Sequence, residues 1–196
     1  MGNIVSPFNI PLFQDIISQE SYSLIKKDVI EYLDKNQNSL HTPWDCPTKT
    51  SLFLPQEQNF KSKNIENEVK KITSEYIKEW GFTGTLPLKI YGMWVNVSKK
   101  GSFQEYHSHT SSTHQHLFSG TLYIDADKNS GDLFLINPID KILNNIPGSL
   151  KVKDKLNIIP QPGLIVSFPS FLGHYVGENK NNTNRISVSW NVIINN

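Results

Sequence analysis

Four of the six histidines fall in one short stretch, as His107, His109, His114 and His116, and a fifth, His174, follows far downstream. His107-Ser108-His109 comes after Phe103–Tyr106, a stretch that can be extended. In a strand, residues i and i+2 share a face, so the two imidazoles could converge on one ion. Neutral imidazole is the commonest ligand for divalent iron, zinc and copper. His174 follows Pro169-Ser170-Phe171-Leu172-Gly173, a turn that places it near a strand start. Arg185 then opens Arg185-Ile186-Ser187-Val188-Ser189-Trp190-Asn191. Its alternation puts Arg185, Ser187, Ser189 and Asn191 on one face and Ile186, Val188, Trp190 and Val192 on the other. An arginine turned inward is costly unless an anion pairs with it. Its planar fork suits a carboxylate, and Ser187 could donate a further hydrogen bond.

Two helices and a set of strands must position these groups. Leu24, Ile25, Val29, Tyr32 and Leu33 recur at helical spacing from Ser21 to about Asn36, with Ser21 as the capping side chain. A second helix is predicted from about Ser62 to Trp80, with Ile65, Val69, Ile72, Tyr76 and Trp80 as its apolar stripe and Gly81 as its stop. The charged residues of Lys61–Lys71 read as its solvated face. After Pro87 the chain turns β-rich, with strands predicted at Leu88–Val97, Leu117–Asp125, Asp132–Ile136, Leu164–Phe168 and Asn184–Ile194. Asp127-Lys128-Asn129-Ser130-Gly131 reads as a hairpin turn. Thr110–Leu117 and Asn137–Asp154 read as loops that could serve as lids.

With 196 residues, one domain is expected: a mostly helical support over residues 1–86 and a β core over 87–196. Apolar residues make up 37% and charged ones 19%, which suits a folded globule rather than a disordered chain. A net charge of +1 lacks the footprint of a nucleic-acid or anionic-membrane binder. The single cysteine, Cys46, supplies neither an internal disulfide nor a Cys-rich zinc site. No apolar run approaches the roughly 20 residues of a membrane span, and no signal-peptide core is evident, so a cytoplasmic protein is expected. Met1–Ser6 fits a loose myristoylation pattern without the basic patch that would reinforce it. An exposed sheet edge could pair two copies in a dimer.

The order of these residues resembles the Fe(II)/2-oxoglutarate-dependent dioxygenases, whose double-stranded β-helix carries H-x-D/E…H…R. The chain is most similar to the prolyl-hydroxylase-like branch, and to small 2OG-Fe(II) oxygenases of phage and marine-bacterial type. The resemblance runs from about Leu88 to Ile194. It rests on Trp94-Val95-Asn96-Val97, Gln104–His109, Ser119-Gly120-Thr121-Leu122-Tyr123, Pro162–Ser170, His174 and Arg185–Asn191. It implies a mainly β fold with N-terminal helices, built on a jelly-roll, cupin-like barrel. His107 and His174 would be iron ligands. Arg185 would take the distal carboxylate of 2-oxoglutarate, assisted by Ser187, with Tyr123 and Asn96 lining the same pocket. Dioxygen would be the second cosubstrate, and the substrate is not readable.

One departure from the pattern is chemical. His109 stands where the family usually has a carboxylate, which removes a negative charge beside the metal and also favours Zn(II), Ni(II) or Cu(II). The preferred triad is His107, His109 and His174. Glu105, which strict alternation would put on the face of His107, and Asp125 are the carboxylate alternatives; His114 or His116 are the histidine ones. Two other classes stay open: a cupin-like metal-binding protein, because Gly101 and His107-x-His109 also open a cupin motif, and a structural or virion-associated module whose chemistry has lapsed.

Overall fold

The computed structural model describes residues 10–43, 45–84, 86–110, 116–139 and 154–195. In chain order the elements are β1 (Phe13–Ile16), α1 (Gln19–Asn36), β2 (Lys49–Thr50), α2 (Lys63–Glu79), β3 (Leu88–Ser98), β4 (Gln104–His107), β5 (His116–Asp125), β6 (Leu133–Ile136), β7 (Lys155–Ile158), β8 (Leu164–Pro169), β9 (His174–Val176) and β10 (Arg185–Ile194). The strands form two antiparallel sheets, a larger one in the order β1-β8-β5-β10-β3-β2 and a smaller one in the order β4-β9-β6-β7. This is the jelly-roll arrangement expected of a double-stranded β-helix.

Helix α1 starts one turn earlier than its apolar spacing indicated. Ser18, not Ser21, is its cap: the Ser18 hydroxyl accepts from the Ser21 amide at 3.1 Å. Helix α2 begins at Ser62, whose hydroxyl accepts from Ile65 N at 3.2 Å, and ends at Gly81, where φ is +80°. The carboxylate of Asp28 on α1 accepts from the Ser62 hydroxyl and from Asn64 Nδ2, so one residue ties the two helices together. Ile25 and Val29 of α1 and Ile65, Val69, Ile72 and Tyr76 of α2 are buried against the outer face of the larger sheet. That face carries Val95, Leu122, Ile124, Ile165, Val188, Trp190 and Val192. Leu24, assigned to the apolar stripe of α1, is instead 47% exposed. Each buried aliphatic side chain contributes about 1.5–3 kcal/mol, so this layer is the main anchor of the larger sheet.

The opposite face of the same strands is directed at the smaller sheet. Tyr123, Leu164, Val166 and Phe168 pack there against Leu133, Leu135 and Ile158. β5 and β10 therefore bury both faces, one apolar and one largely polar, and β10 is a central strand between β5 and β3. Asp127–Gly131 is a turn, with Ser130 N donating to Asp127 O at 3.0 Å and φ of +96° at Gly131. It is not a hairpin turn. β5 pairs with β8 and β10 while β6 pairs with β7 and β9, so the turn carries the chain from one sheet to the other. Turn chemistry is local and does not say which strands it joins. No helix among the described residues is long and apolar enough to cross a membrane. Met1–Ser6, His114 and most of the two candidate lids, Thr110–Leu117 and Asn137–Asp154, lie outside the described residues.

Candidate functional site

β4 carries a bulge. Its register with β9 shifts between Gln104, opposite Val176, and His107, opposite His174. The bulge breaks strict alternation. Gln104 and His107 turn inward, whereas Glu105 and Tyr106 are exposed. His107 and His174 thereby become direct cross-strand neighbours, with ring centroids 4.2 Å apart. Beyond β4, the His109 amide donates to Ser170 O at 2.9 Å, which brings the third ring to within 5.2 Å of His107 and 5.0 Å of His174, centroid to centroid. One ring nitrogen from each histidine lies within 4.8 Å of the other two.

The second nitrogen of each ring is already committed. His107 Nδ1 donates to Glu105 O at 2.8 Å, His174 Nδ1 to Leu172 O at 2.9 Å, and His109 Nδ1 to Asn191 Oδ1 at 2.7 Å. A carbonyl oxygen only accepts, so each Nδ1 carries the proton and each Nε2 keeps its lone pair. Burial, the largest cause, also holds the rings neutral. It lowers His107 below its usual value; burial, aided by repulsion from the neighbouring histidines, brings His109 to about 4 and His174 to about 3. Three neutral imidazoles with converging lone pairs are a fitting donor set for a divalent transition metal.

Two of these rings, His107 and His109, stand between two spaces. Inward is a narrow chamber lined by Asn96, Thr121, Tyr123, Arg185, Ser187 and Ser189 together with the three histidines. Outward is an open cleft of about 890 Å³ bounded by β3, β4 and the start of α2. Trp94 and Gln104 line both and form the partition with His107 and His109. Deep in the chamber, Arg185 is 3% exposed. Its guanidinium donates to Gly131 O at 3.1 Å, Ser130 O at 3.4 Å and Ser98 Oγ at 3.0 Å, while Nε has no partner. All these acceptors are neutral, and no acidic side chain lines the chamber among the described residues. Burial lowers the Arg185 pKa and pushes the Tyr123 phenol up to about 12, so the guanidinium is the strong cation and the phenol a proton donor. A buried cation held only by neutral groups is one that an anion in the same chamber would stabilise.

Arg185, Ser187, Tyr123 and Asn96 are thus brought together with the histidine trio. The carboxylate alternatives are not. The bulge turns Glu105 outward, and the Asp125 carboxylate is bound to Lys26 of α1 at 2.7 Å. His116 Nδ1 donates to His109 O at 2.9 Å, and its ring faces Tyr91 on the cleft side, apart from the cluster. Trp94, Gln104, Ser119, Ser170 and Asn191 all stand in segments that carry the family resemblance, but residue types gave none of them a role; alternation placed Asn191 on the Arg185 face.

Residues 92–191, just over half of the chain, match the family model described as "Putative 2OG-Fe(II) oxygenase". The chain belongs to the 2OG-Fe(II) oxygenase family. No curated protein matches it in sequence. Among solved structures, a prolyl-4-hydroxylase from Pseudomonas putida is similar at a TM-score of 0.65 and 13% identity, covering 95% of this chain and 94% of that one. The viral collagen prolyl hydroxylase of Paramecium Bursaria Chlorella virus-1, solved as a 2OG complex, gives a TM-score of 0.57 at 11% identity over 94% and 96% of the two chains. The carbocyclase SnoK from nogalamycin biosynthesis gives 0.66 at 12% identity over 94% and 80%. At such identities the likeness shows the shared, prolyl-hydroxylase-like fold. Fe(II) and 2-oxoglutarate are the cofactors of this family member. Its neutral Nε2 trio suits the ion, and its buried, anion-free guanidinium suits the dicarboxylate.

Proposed function

We propose that the protein is an Fe(II)- and 2-oxoglutarate-dependent hydroxylase in which His107, His109 and His174 hold the metal through Nε2. Arg185 anchors the distal carboxylate of 2-oxoglutarate, with hydrogen bonds from Ser187 and Tyr123, and Asn96 lines the wall. The carrying observation is Arg185: a buried guanidinium without an anion, in the same chamber as three converging imidazoles. With dioxygen, the bound iron supplies oxidative decarboxylation of the cosubstrate to succinate and CO2 and insertion of the remaining oxygen atom into a substrate C–H bond. The chain's own residues bind, orient and exclude water. Trp94 and Gln104 separate the chamber from the cleft, and substrate approaches through the cleft past Tyr91 and Tyr106.

Hydroxylation is the reaction named for some structural neighbours, whereas others are a carbocyclase and an epimerase, so the fold alone does not fix the outcome. Anaerobic titration of the Fe(II)-loaded protein with 2-oxoglutarate tests the reading. A visible metal-to-ligand charge-transfer band is expected, weakened in Arg185→Ala. Retained metal with no band would overturn it. The all-histidine ligand set favours one second reading, a metal-binding module whose oxidation chemistry has lapsed. Absence of succinate formation despite a charge-transfer band would select that reading.

A further inference from the structure

Asn191 lies on β10 opposite Ser119 of β5, where the ladder between β10 and β3 shifts between Asn191 and Val192. Its Oδ1 receives two hydrogen bonds, one from His109 Nδ1 at 2.7 Å and one from Ser119 Oγ at 2.7 Å. Ser119 Oγ is in turn 2.7 Å from Ser170 Oγ. Because the Ser119 proton goes to Asn191, Ser170 is the donor in that contact. Ser170 O also accepts the His109 amide at 2.9 Å. His109 is therefore gripped at main chain and ring by one closed circuit, through Ser170, Ser119 and Asn191. Both serines are 0% exposed and Asn191 is 8% exposed.

The other two imidazoles lean on main-chain carbonyls two residues away, which any sequence supplies. Among the described residues, only His109, the ligand that replaces a carboxylate in the family pattern, is oriented by a side chain. That side chain is an amide, so it adds no negative charge, and none comes from the described lining of the chamber. A divalent ion there faces three neutral ligands and the Arg185 cation. Its charge is offset chiefly by the dianion of the cosubstrate.

We propose that Asn191 is the positioning residue of the metal centre: its amide oxygen, braced by Ser119, fixes His109 with Nε2 toward the ion, and its neutrality makes metal retention depend on the bound 2-oxoglutarate anion. This rests on the proposed triad and deepens it. The coupling is reciprocal, so metal and anion must raise each other's affinity by the same factor.

The test uses the metal-stripped full chain. Anaerobic Fe(II) titration by calorimetry, and Co(II) titration by visible absorption, are run with and without N-oxalylglycine, a non-reactive dianionic analogue of 2-oxoglutarate. In the parent the analogue should tighten metal binding more than tenfold. Asn191→Ala should weaken metal binding by about 10–100-fold and change the Co(II) band. Ser119→Ala should do so less, in the same direction. Asn191→Asp should rescue binding and shrink the enhancement by the analogue, because the new carboxylate supplies the missing charge. Parent-like affinity and spectrum in Asn191→Ala would overturn the proposal, as would an Asn191→Asp that binds as poorly as the alanine variant. Should Asn191→Ala fail to fold by circular dichroism, Ser119→Ala decides, and parent-like binding there overturns the proposal. A parent that binds no metal would sink the proposed triad itself, whereas a normal parent with an indifferent Asn191→Ala sinks only the role of Asn191.

Discussion

At Arg185 the proposed anchoring of an anion is set against stability in one side chain. Its charge is removed from water and answered by neutral oxygens, which compensate a guanidinium less well than a carboxylate does. Removing a buried cation that has no anionic partner relieves its desolvation cost, but it leaves the Ser130 and Gly131 carbonyls without a donor. The two effects oppose, so Arg185→Met should change the Tm of the ligand-free protein little. Added 2-oxoglutarate with Fe(II) should stabilise the parent by RT ln(1 + [L]/Kd), about 2.7 kcal/mol at a hundredfold excess over Kd, and the variant far less. Thermal melts with and without ligand would show the gap between parent and variant open when ligand is added. A ligand-free variant that melts far below the parent would assign Arg185 a structural role instead. Arg185→Lys tests the geometry separately: one ammonium cannot reproduce the fork, so 2-oxoglutarate affinity should fall between that of the parent and Arg185→Ala. Equal affinity in Lys and Arg proteins, read by the anaerobic titration, would mean that charge alone suffices.

At the scale of elements, the crossing turn and the bulge matter most. Gly131 adopts φ of +96°, and a Cβ there would sit 2.1 Å from Gly177 O and 3.2 Å from Arg185 Nη1. Gly131→Ala should strain the turn and shift the carbonyl that holds Arg185, lowering stability by about 1–3 kcal/mol and weakening 2-oxoglutarate. Denaturant titration beside ligand titration would check it, and an unaffected ligand affinity would uncouple the turn from the anchor. The same elements mark what could be read from sequence. The stripe Ile65-Val69-Ile72-Tyr76 and the alternation after Arg185 were legible because burial on one face repeats with the period of the backbone. Arg185 and Ser187 were placed on one face by that regularity, whereas the pairing of His107 with His174 as ligands came from the resemblance. Glu105 was misplaced because a bulge adds a residue that alternation does not foresee. β1 and β7, four residues each at the sheet edges, carry too little pattern to announce themselves. Asp127–Gly131 was legible as a turn, but its destination depends on long-range pairing. The circuit around Asn191 joins residues from four segments and has no local signature at all.

Across the whole molecule, the larger sheet separates two environments, with the helices bracing one face so that the other can hold poorly solvated polar groups. That division makes the ligand-free fold sensitive to acid. Burial depresses the basicity of His107, His109 and His174, the last two to about 4 and about 3 against an ordinary 6.5. Well above pH 6.5 the three rings are neutral whether the chain is folded or unfolded, and they contribute no pH dependence. Below 6.5 the unfolded chain takes up protons that the folded chain refuses, so it binds more protons and stability falls with pH. The loss should accumulate from about pH 6.5 and level off near the folded values of about 4 and 3. Bound Fe(II) requires the neutral rings, so the stabilisation it confers should fade over the same acid range as protons compete for Nε2. Urea unfolding of the metal-free protein at stepped pH, compared with a His107→Gln/His109→Gln/His174→Gln variant, isolates the effect. The parent should lose stability on acidification more steeply than the variant below pH 6.5 and run parallel to it well above that pH. Parallel profiles throughout would place the acid sensitivity elsewhere, and would mean that the three rings are open enough to water to titrate as they do in the unfolded chain.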